Sequence, residues 1–241
     1  MRKKGLPGEE STGENIHKDH RKRLKKHMRI SGSEGMSDYM LLEFILSFAI
    51  PRKDTNPLAH TLIDHFGSFD KVFEASKEEL TQVPGTGEHT AYFLISFLPV
   101  LRRYLERQAG EHFLYSDKEA VRKFLCSKYL AVKYERAMLL NFDSKGTFLG
   151  YDFIAEGDFG QVDLNCRKIA SSVIKSHAAI TVLAHNHPSG ICRPSADDLI
   201  CVKNLKNFLS QLEVTLADSI ILTQDSIFFF SSDPSLFNYL Y

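Results

Sequence analysis

The stretch that most constrains this chain is residues 183–198, LAHNHPSGICRPSADD, where an apolar run ends on a spaced histidine pair and a helix start follows a short loop. Residues 178–184 (AAITVLA) have the continuous apolar character of a buried strand. His185 and His187 stand two apart at its end, so both rings leave the same face. Pro188 and Gly190 reverse the chain. Ser195 is then a natural N-cap for a helix over residues 195–212, which puts Asp198 at N3, in the first turn. Any fold that uses this stretch must set a helix N-terminus beside a strand end, with a carboxylate pointing back at two imidazoles.

Such a grouping suits a metal. Two imidazoles on a rigid strand end make a half-site for zinc, with Zn–N of roughly 2.0–2.1 Å. Adding Asp198 gives three ligands and leaves one position for water, the pattern of a catalytic rather than a structural zinc. A histidine beside a proline is ordinarily a surface residue, and an aspartate at a helix start also suits the helix dipole. The combination His-x-His-Pro-x6-Ser-x2-Asp is much harder to obtain idly. The contiguous letters His185-Asn186-His187 do not make an HNH nuclease, whose residues are dispersed through a ββα unit. A zinc deaminase needs H-x-E with P-C-x-x-C, and neither is present.

Around this stretch the pattern alternates. Ser116-Asp117-Lys118-Glu119 has the form of a capping box and opens a helix to about residue 128. Strands are expected over 136–142 and 147–154, a helix over 165–176, and a terminal hairpin from 218–223 and 226–230. The first half is helical by contrast, over 37–48 (capped by Ser37 or Asp38), 56–66 (ending at Gly67), 69–75 and 77–83. After Pro84-Gly85-Thr86-Gly87 comes an apolar helix over 91–105. Two helices joined by a tight Gly-x-Gly turn form a helix-hairpin-helix, whose exposed N–H groups can hold a phosphate oxygen. Three segments are expected: a basic tail over 1–30, a helix-hairpin-helix domain over 31–110, and a zinc domain over 111–241. The fold class is α+β, an all-helical N-terminal domain followed by an α/β domain.

Charge matters by its distribution, since the formal net charge is zero. Residues 1–30 carry ten Lys/Arg against four Asp/Glu, a net of +6, whereas residues 31–110 carry seven against eleven, a net of −4. The helical domain is thus a poor electrostatic footprint for a stand-alone DNA binder. Weak DNA contact is expected from the basic tail, helped by Gly85 and Gly87 of the hairpin. The basic residues at the start have no apolar stretch behind them, which argues against a secretory signal. The longest apolar run, 93–101, is too short to span a bilayer. A cytoplasmic protein with no membrane partner is expected. Cys126, Cys166, Cys192 and Cys201 form no CxxC pair, so reduced thiols are expected, with Cys192 a bystander to the metal.

The spacing of residues 184–198 resembles the JAMM (JAB/MPN) signature, in which two histidines and an aspartate hold zinc and an upstream glutamate acts on its water. It also resembles the RadC family, which shows AHNHPSG (here Ala184–Gly190) followed by PS-x-x-D (here Pro194, Ser195 and Asp198). The upstream segments LLEFILSFAIPRKDTNPLAHTLIDHFGSF and EELTQVPGTG resemble the family's N-terminal region, so the likeness runs from about residue 17 to the C-terminus. It implies a JAB/MPN-like (cytidine-deaminase-like) second domain, with Zn2+ as cofactor, and a glutamate just before that domain's first strand. Glu135, in KYERAMLLNFD, occupies that place, and Glu156, in AEGDFG, is the competing carboxylate. One departure is Asp218-Ser219, where RadC-like sequences often carry Asp-His. The accessory histidine is absent, or Ser219 fills its place.

The resemblance implies metal-assisted hydrolysis of a peptide or isopeptide bond in a protein or peptide substrate. Glu135 is the expected catalytic base, returning its proton to the leaving amine. Ser195 is expected to donate to the tetrahedral oxyanion, in competition with its capping role. Two other readings stand beside this one. The first is a DNA-repair-associated nucleic-acid-binding module using the hairpin and basic tail. The second is a metal-dependent nuclease, disfavoured because only one metal site is legible where many such enzymes use two metals about 3.5–4 Å apart.

Overall fold

The computed structural model describes residues 12–51, 53–110, 112–157 and 165–240, with side chains from residue 21 onward except those of residues 109 and 237. Residues 1–11 of the expected tail lie outside the described residues, and its remainder belongs to helix α1 (Thr12–Ser31). The contact pattern divides the chain into two compact units, 1–100 and 101–241.

The first unit is all helical: α1, α2 (Asp38–Ala49), α3 (Asn56–Phe66), α4 (Phe69–Glu74), α5 (Lys77–Gln82), α6 (Glu88–Ile95) and the start of α7 (Phe97–Ala109). Ser37 caps α2 by accepting from the Met40 N–H, and Gly67 ends α3 in the left-handed conformation. Leu42, Leu46, Leu62, Val72, Leu80 and Leu94 form its core. Where one helix was expected over 91–105 there are two, parted at Ser96. Pro99 supplies the reason: inside a continuous helix its ring would clash with the Ile95 carbonyl, whereas in the first turn of α7 it is tolerated. In the Gly-x-Gly turn only Gly85 needs to be glycine on backbone grounds, with φ of +94°. Gly87, with φ of −82°, is the N-cap of α6 and has no side chain to cover the helix's first N–H groups.

The second unit places α8 (Lys118–Tyr129), α9 (Cys166–Ser176) and α10 (Ala196–Ser210) around a mixed five-stranded sheet. Its strands are β1 (Arg136–Phe142), β2 (Phe148–Glu156), β3 (Ile180–Asn186), β4 (Thr215–Leu222) and β5 (Ile227–Phe229), in the order β2-β1-β3-β4-β5. β1 is antiparallel to both β2 and β3, while β3 and β4 run parallel and are joined through α10. The molecule is thus α+β, helices first and a mixed sheet second. On one sheet face Leu139, Leu183 and Ile221 pack with Ile169 of α9 and Val202 and Leu205 of α10. On the other, Met138, Leu140, Val182 and Ile220 pack with Phe124 and Leu125 of α8. The alternation of those residues along β1 and β3 is the two-residue period of a sheet covered on both faces.

Two expectations need correction here. The cap of α8 is Asp117, which accepts from the Ala120 N–H at 3.0 Å, and not Ser116; Glu119 reaches Arg122 instead, so no capping box forms. After β5 the chain adds two 3-10 turns and a short helix, α11 (Phe237–Leu240), none of them foreseen. All four cysteines are free thiols. Among the described residues no helix is long and apolar enough to cross a membrane.

Candidate metal centre

β3 is a central strand of the sheet, and His185 is its penultimate residue. His185 is fully buried and His187, one residue past the strand, is 9% exposed. The His187 N–H donates to the Leu222 carbonyl at 2.7 Å, so the backbone beyond β3 still follows β4. Across the loop, Ser195 caps α10 and forms a true capping box with Asp198 at N3, as its spacing predicts. The Ser195 hydroxyl accepts from the Asp198 N–H at 3.1 Å, while the Ser195 N–H and hydroxyl donate to Asp198 Oδ2 at 2.7 and 2.6 Å. That box turns the other carboxylate oxygen, Oδ1, toward the strand end.

Three side chains converge there. His185 Nε2 lies 3.0 Å from His187 Nε2 and 3.0 Å from Asp198 Oδ1, and His187 Nε2 lies 3.4 Å from Asp198 Oδ2. His187 Nδ1 is 2.8 Å from the Ile191 carbonyl. A carbonyl can only accept, so Nδ1 carries the proton and, in the neutral ring, Nε2 presents a bare lone pair to the meeting point. Burial opposes the charge on Asp198, but the bonds from His185 and His187 outweigh it and hold the carboxyl well below the usual range. The Asp198 bond raises His187 against the effect of burial, with Glu135 adding a smaller contribution of the same sign. Two imidazole nitrogens and a carboxylate oxygen within 4.8 Å of one another, largely buried, form a donor set compatible with a metal ion.

Glu135 lines the same groove, of about 290 Å³, together with His187, Ser195 and Asp198. The sheet register explains why. Ala137 pairs with His185, and the two-residue alternation carried back from Ala137 puts Glu135, just before β1, on the face that bears His185, close enough to act on the charge of His187. Glu156 goes elsewhere: it pairs with Arg136, whose side chain leaves the opposite face, and forms an ion pair with it at 2.8 Å. Ser195 is in the groove, but its one hydroxyl proton is given to Asp198, the capping bond with which its expected oxyanion role competes. The Cys192 thiol donates to the Ile221 carbonyl at 3.5 Å and is not among the converging donors. Ser219 is fully buried in the sheet opposite Leu183, and Asp218 accepts from the Ser219 and Ser231 N–H groups and bonds the Ser231 hydroxyl. The groove also includes Pro194 of the PS-x-x-D motif, and Ser189, Ile191 and Arg193, to which sequence reasoning gave no role. Their only signal is their place in the loop between the two ligand-bearing elements.

A mixed sheet with His-x-His at the end of a central strand and an aspartate in the first turn of the next helix defines the class: a JAB-type domain with a candidate metal centre. The family model described as a RadC-like JAB domain matches residues 115–235, and this chain belongs to that family. It is 30% identical over 218 residues to a UPF0758 protein of Fusobacterium nucleatum, covering 88% of this chain and 94% of the relative. A UPF0758 protein of Ruegeria pomeroyi is 31% identical over 209 residues, covering 85% and 92%, and one of Janthinobacterium sp. is 28% identical over 216 residues, covering 90% and 95%.

Proposed function

We propose that this RadC-like protein is a zinc-dependent hydrolase of peptide or isopeptide bonds, with His185, His187 and Asp198 as zinc ligands and Glu135 as general base. The observation that carries this reading is the convergence of three donor atoms from His185, His187 and Asp198 beside a groove that His187 and Asp198 line together with Glu135, the residue just before β1. Bound zinc supplies Lewis-acid chemistry, polarising a carbonyl and lowering the pKa of water from about 15.7 toward 7. The chain's own residues do the rest. The Ile191 carbonyl fixes the His187 tautomer, and the capping box fixes Asp198, the outer support that metal ligands need. Glu135 takes the proton of the attacking water and passes it to the departing amine. Ser189 and Ser195 at the groove wall are within the site a substrate carbonyl must enter.

The test uses metal analysis and peptide chemistry together. Purified protein should carry about one zinc per chain, and His185→Ala or Asp198→Ala should lose it. Incubation with a proteome-derived peptide mixture should create new amino termini, detected by mass spectrometry, that disappear with chelator and return with zinc. Glu135→Gln should keep the metal and lose the cleavage. Full zinc occupancy in the ligand variants, or full cleavage by Glu135→Gln, would overturn the assignment.

A further inference from the structure

Asn186 sits between the two histidines, is 6% exposed, and has no part in the expected donor set. Both ends of its carboxamide are nevertheless bonded to backbone. Oδ1 accepts from the Arg136 N–H at 2.8 Å and Nδ2 donates to the Tyr134 carbonyl at 2.9 Å. The assignment of O and N is unambiguous, because a backbone N–H only donates and a carbonyl only accepts. These two backbone groups belong to the two peptide units that flank the Cα of Glu135. The second unit is held from its other side as well, since the Glu135 carbonyl accepts from the Gly157 N–H at 2.8 Å.

The reason for such a clamp lies in the sheet. Main-chain pairing of β1 with β3 ends at Ala137↔His185, because β3 stops at Asn186 and the next residue bonds toward β4. The amide side chain of Asn186 presents one acceptor and one donor, as a peptide group does, and extends the ladder by one step. That step fixes both backbone torsions of Glu135 and therefore the direction of its Cα–Cβ bond. Asn186 is also the residue that spaces His185 from His187. One side chain thereby ties the carboxylate-bearing backbone to the backbone that carries the two imidazoles.

We infer that Asn186 is a positioning residue, whose carboxamide aims the Glu135 carboxylate at the site formed by His185, His187 and Asp198. The inference rests on the reading of Glu135 as general base. Aspartate cannot replace Asn186, since it has no donor for the Tyr134 carbonyl; glutamine is a methylene too long, and serine reaches at most one of the two groups.

The test compares the full-length wild type with Asn186→Asp, Asn186→Leu, Glu135→Gln and the double variant Asn186→Asp/Glu135→Gln, using cobalt(II) as a spectroscopic probe of the metal site. Each should bind one metal ion per chain, because the three ligands are intact. The visible bands of both Asn186 variants should move from the wild-type position to that of Glu135→Gln, and the double variant should coincide with Glu135→Gln alone. On the peptides cleaved by the wild type, the Asn186 variants should lose about 10- to 100-fold in kcat with KM unchanged, the usual effect of removing an outer support. The near-isosteric Asn186→Asp decides the matter if Asn186→Leu does not fold. Wild-type bands and rate in Asn186→Asp would overturn the inference, as would a spectral shift that persists undiminished in the Glu135→Gln background. A wild type that binds no metal would instead bring down the zinc reading, and a Glu135→Gln variant with wild-type spectrum and rate would bring down the role of Glu135.

Discussion

Replacing Ser195 by alanine separates a helix cap from a metal support, because one hydroxyl serves both. Its oxygen accepts from the Asp198 N–H, a cap whose loss costs about 1 kcal/mol. Its proton goes to Asp198 Oδ2 at 2.6 Å, and hydrogen bonds to a charged group contribute about 1.5–3 kcal/mol. The lower end applies, since the Ser195 N–H remains on the same oxygen at 2.7 Å. The metal-free protein should therefore lose about 2.5 kcal/mol, which at about 2–4 °C per kcal/mol for a protein of this size is a fall in Tm of about 5–10 °C.

Zinc should widen that gap. With the hydroxyl gone, Asp198 Oδ2 keeps only the Ser195 N–H, so the carboxylate is held less firmly and zinc affinity should fall about tenfold. At saturating zinc a tenfold weaker site stabilises the fold by about 1.4 kcal/mol less, so the two proteins should then differ by roughly 8–15 °C. Thermal melts in excess chelator and in excess zinc, with a chelator competition for the affinity, measure both quantities. Ser195→Thr keeps the hydroxyl on an exposed residue and should restore both. A gap unchanged by zinc would reduce Ser195 to a helix cap alone, and no gap at all would refute the hydrogen-bonding argument.

Three further outcomes follow from the same structure. In the metal-free protein Asp198 is held low by its histidine bonds, so its contribution is present above the unfolded value of about 3.9 and lost as pH falls through the folded one; His187 is raised by Asp198, so its contribution is present below about 6.5 and lost as pH rises through the raised value. Tm in chelator should therefore be highest near about pH 5–6 and fall above neutrality, while zinc binding strengthens over the same range because ligation needs neutral imidazole; parallel trends would contradict this. DNA binding should be weak and sequence-independent, weakening with salt by a log–log slope of about −0.9 per phosphate neutralised, and deleting residues 1–30 with their ten Lys/Arg should abolish most of it; tight binding that survives the deletion would assign it to the Gly85 turn instead. Limited proteolysis should cut in the tail or at residues 108–112, after the hydrogen-bonded turns of α7 end at Ala109, and a single protected core spanning the junction would contradict a two-domain chain.

What could be read from the sequence and what could not divides along contact range. The His-x-His pair at a strand end and the Ser195–Asp198 cap are local, fixed by two-residue alternation and by a three-residue reach within one helix turn, and the structure puts them where that spacing says. The caps of α2 and α3 are local too. The α6–α7 break was legible in principle from Pro99, but an apolar run masks it, since hydrophobic periodicity does not register a missing N–H. Glu135 and Glu156 are different. One precedes β1 and the other ends β2, both are carboxylates at strand termini, and nothing along the chain tells their faces apart. The pairings Arg136↔Glu156 and Ala137↔His185 do so, because a step of one residue exchanges the faces of a sheet. The candidate site is therefore a local motif, residues 185–198, completed by one side chain delivered across the sheet. A site built that way needs something to hold the register at the point where the strands part. The Asn186 carboxamide, bonded to the backbone on both sides of Glu135, stands at that point.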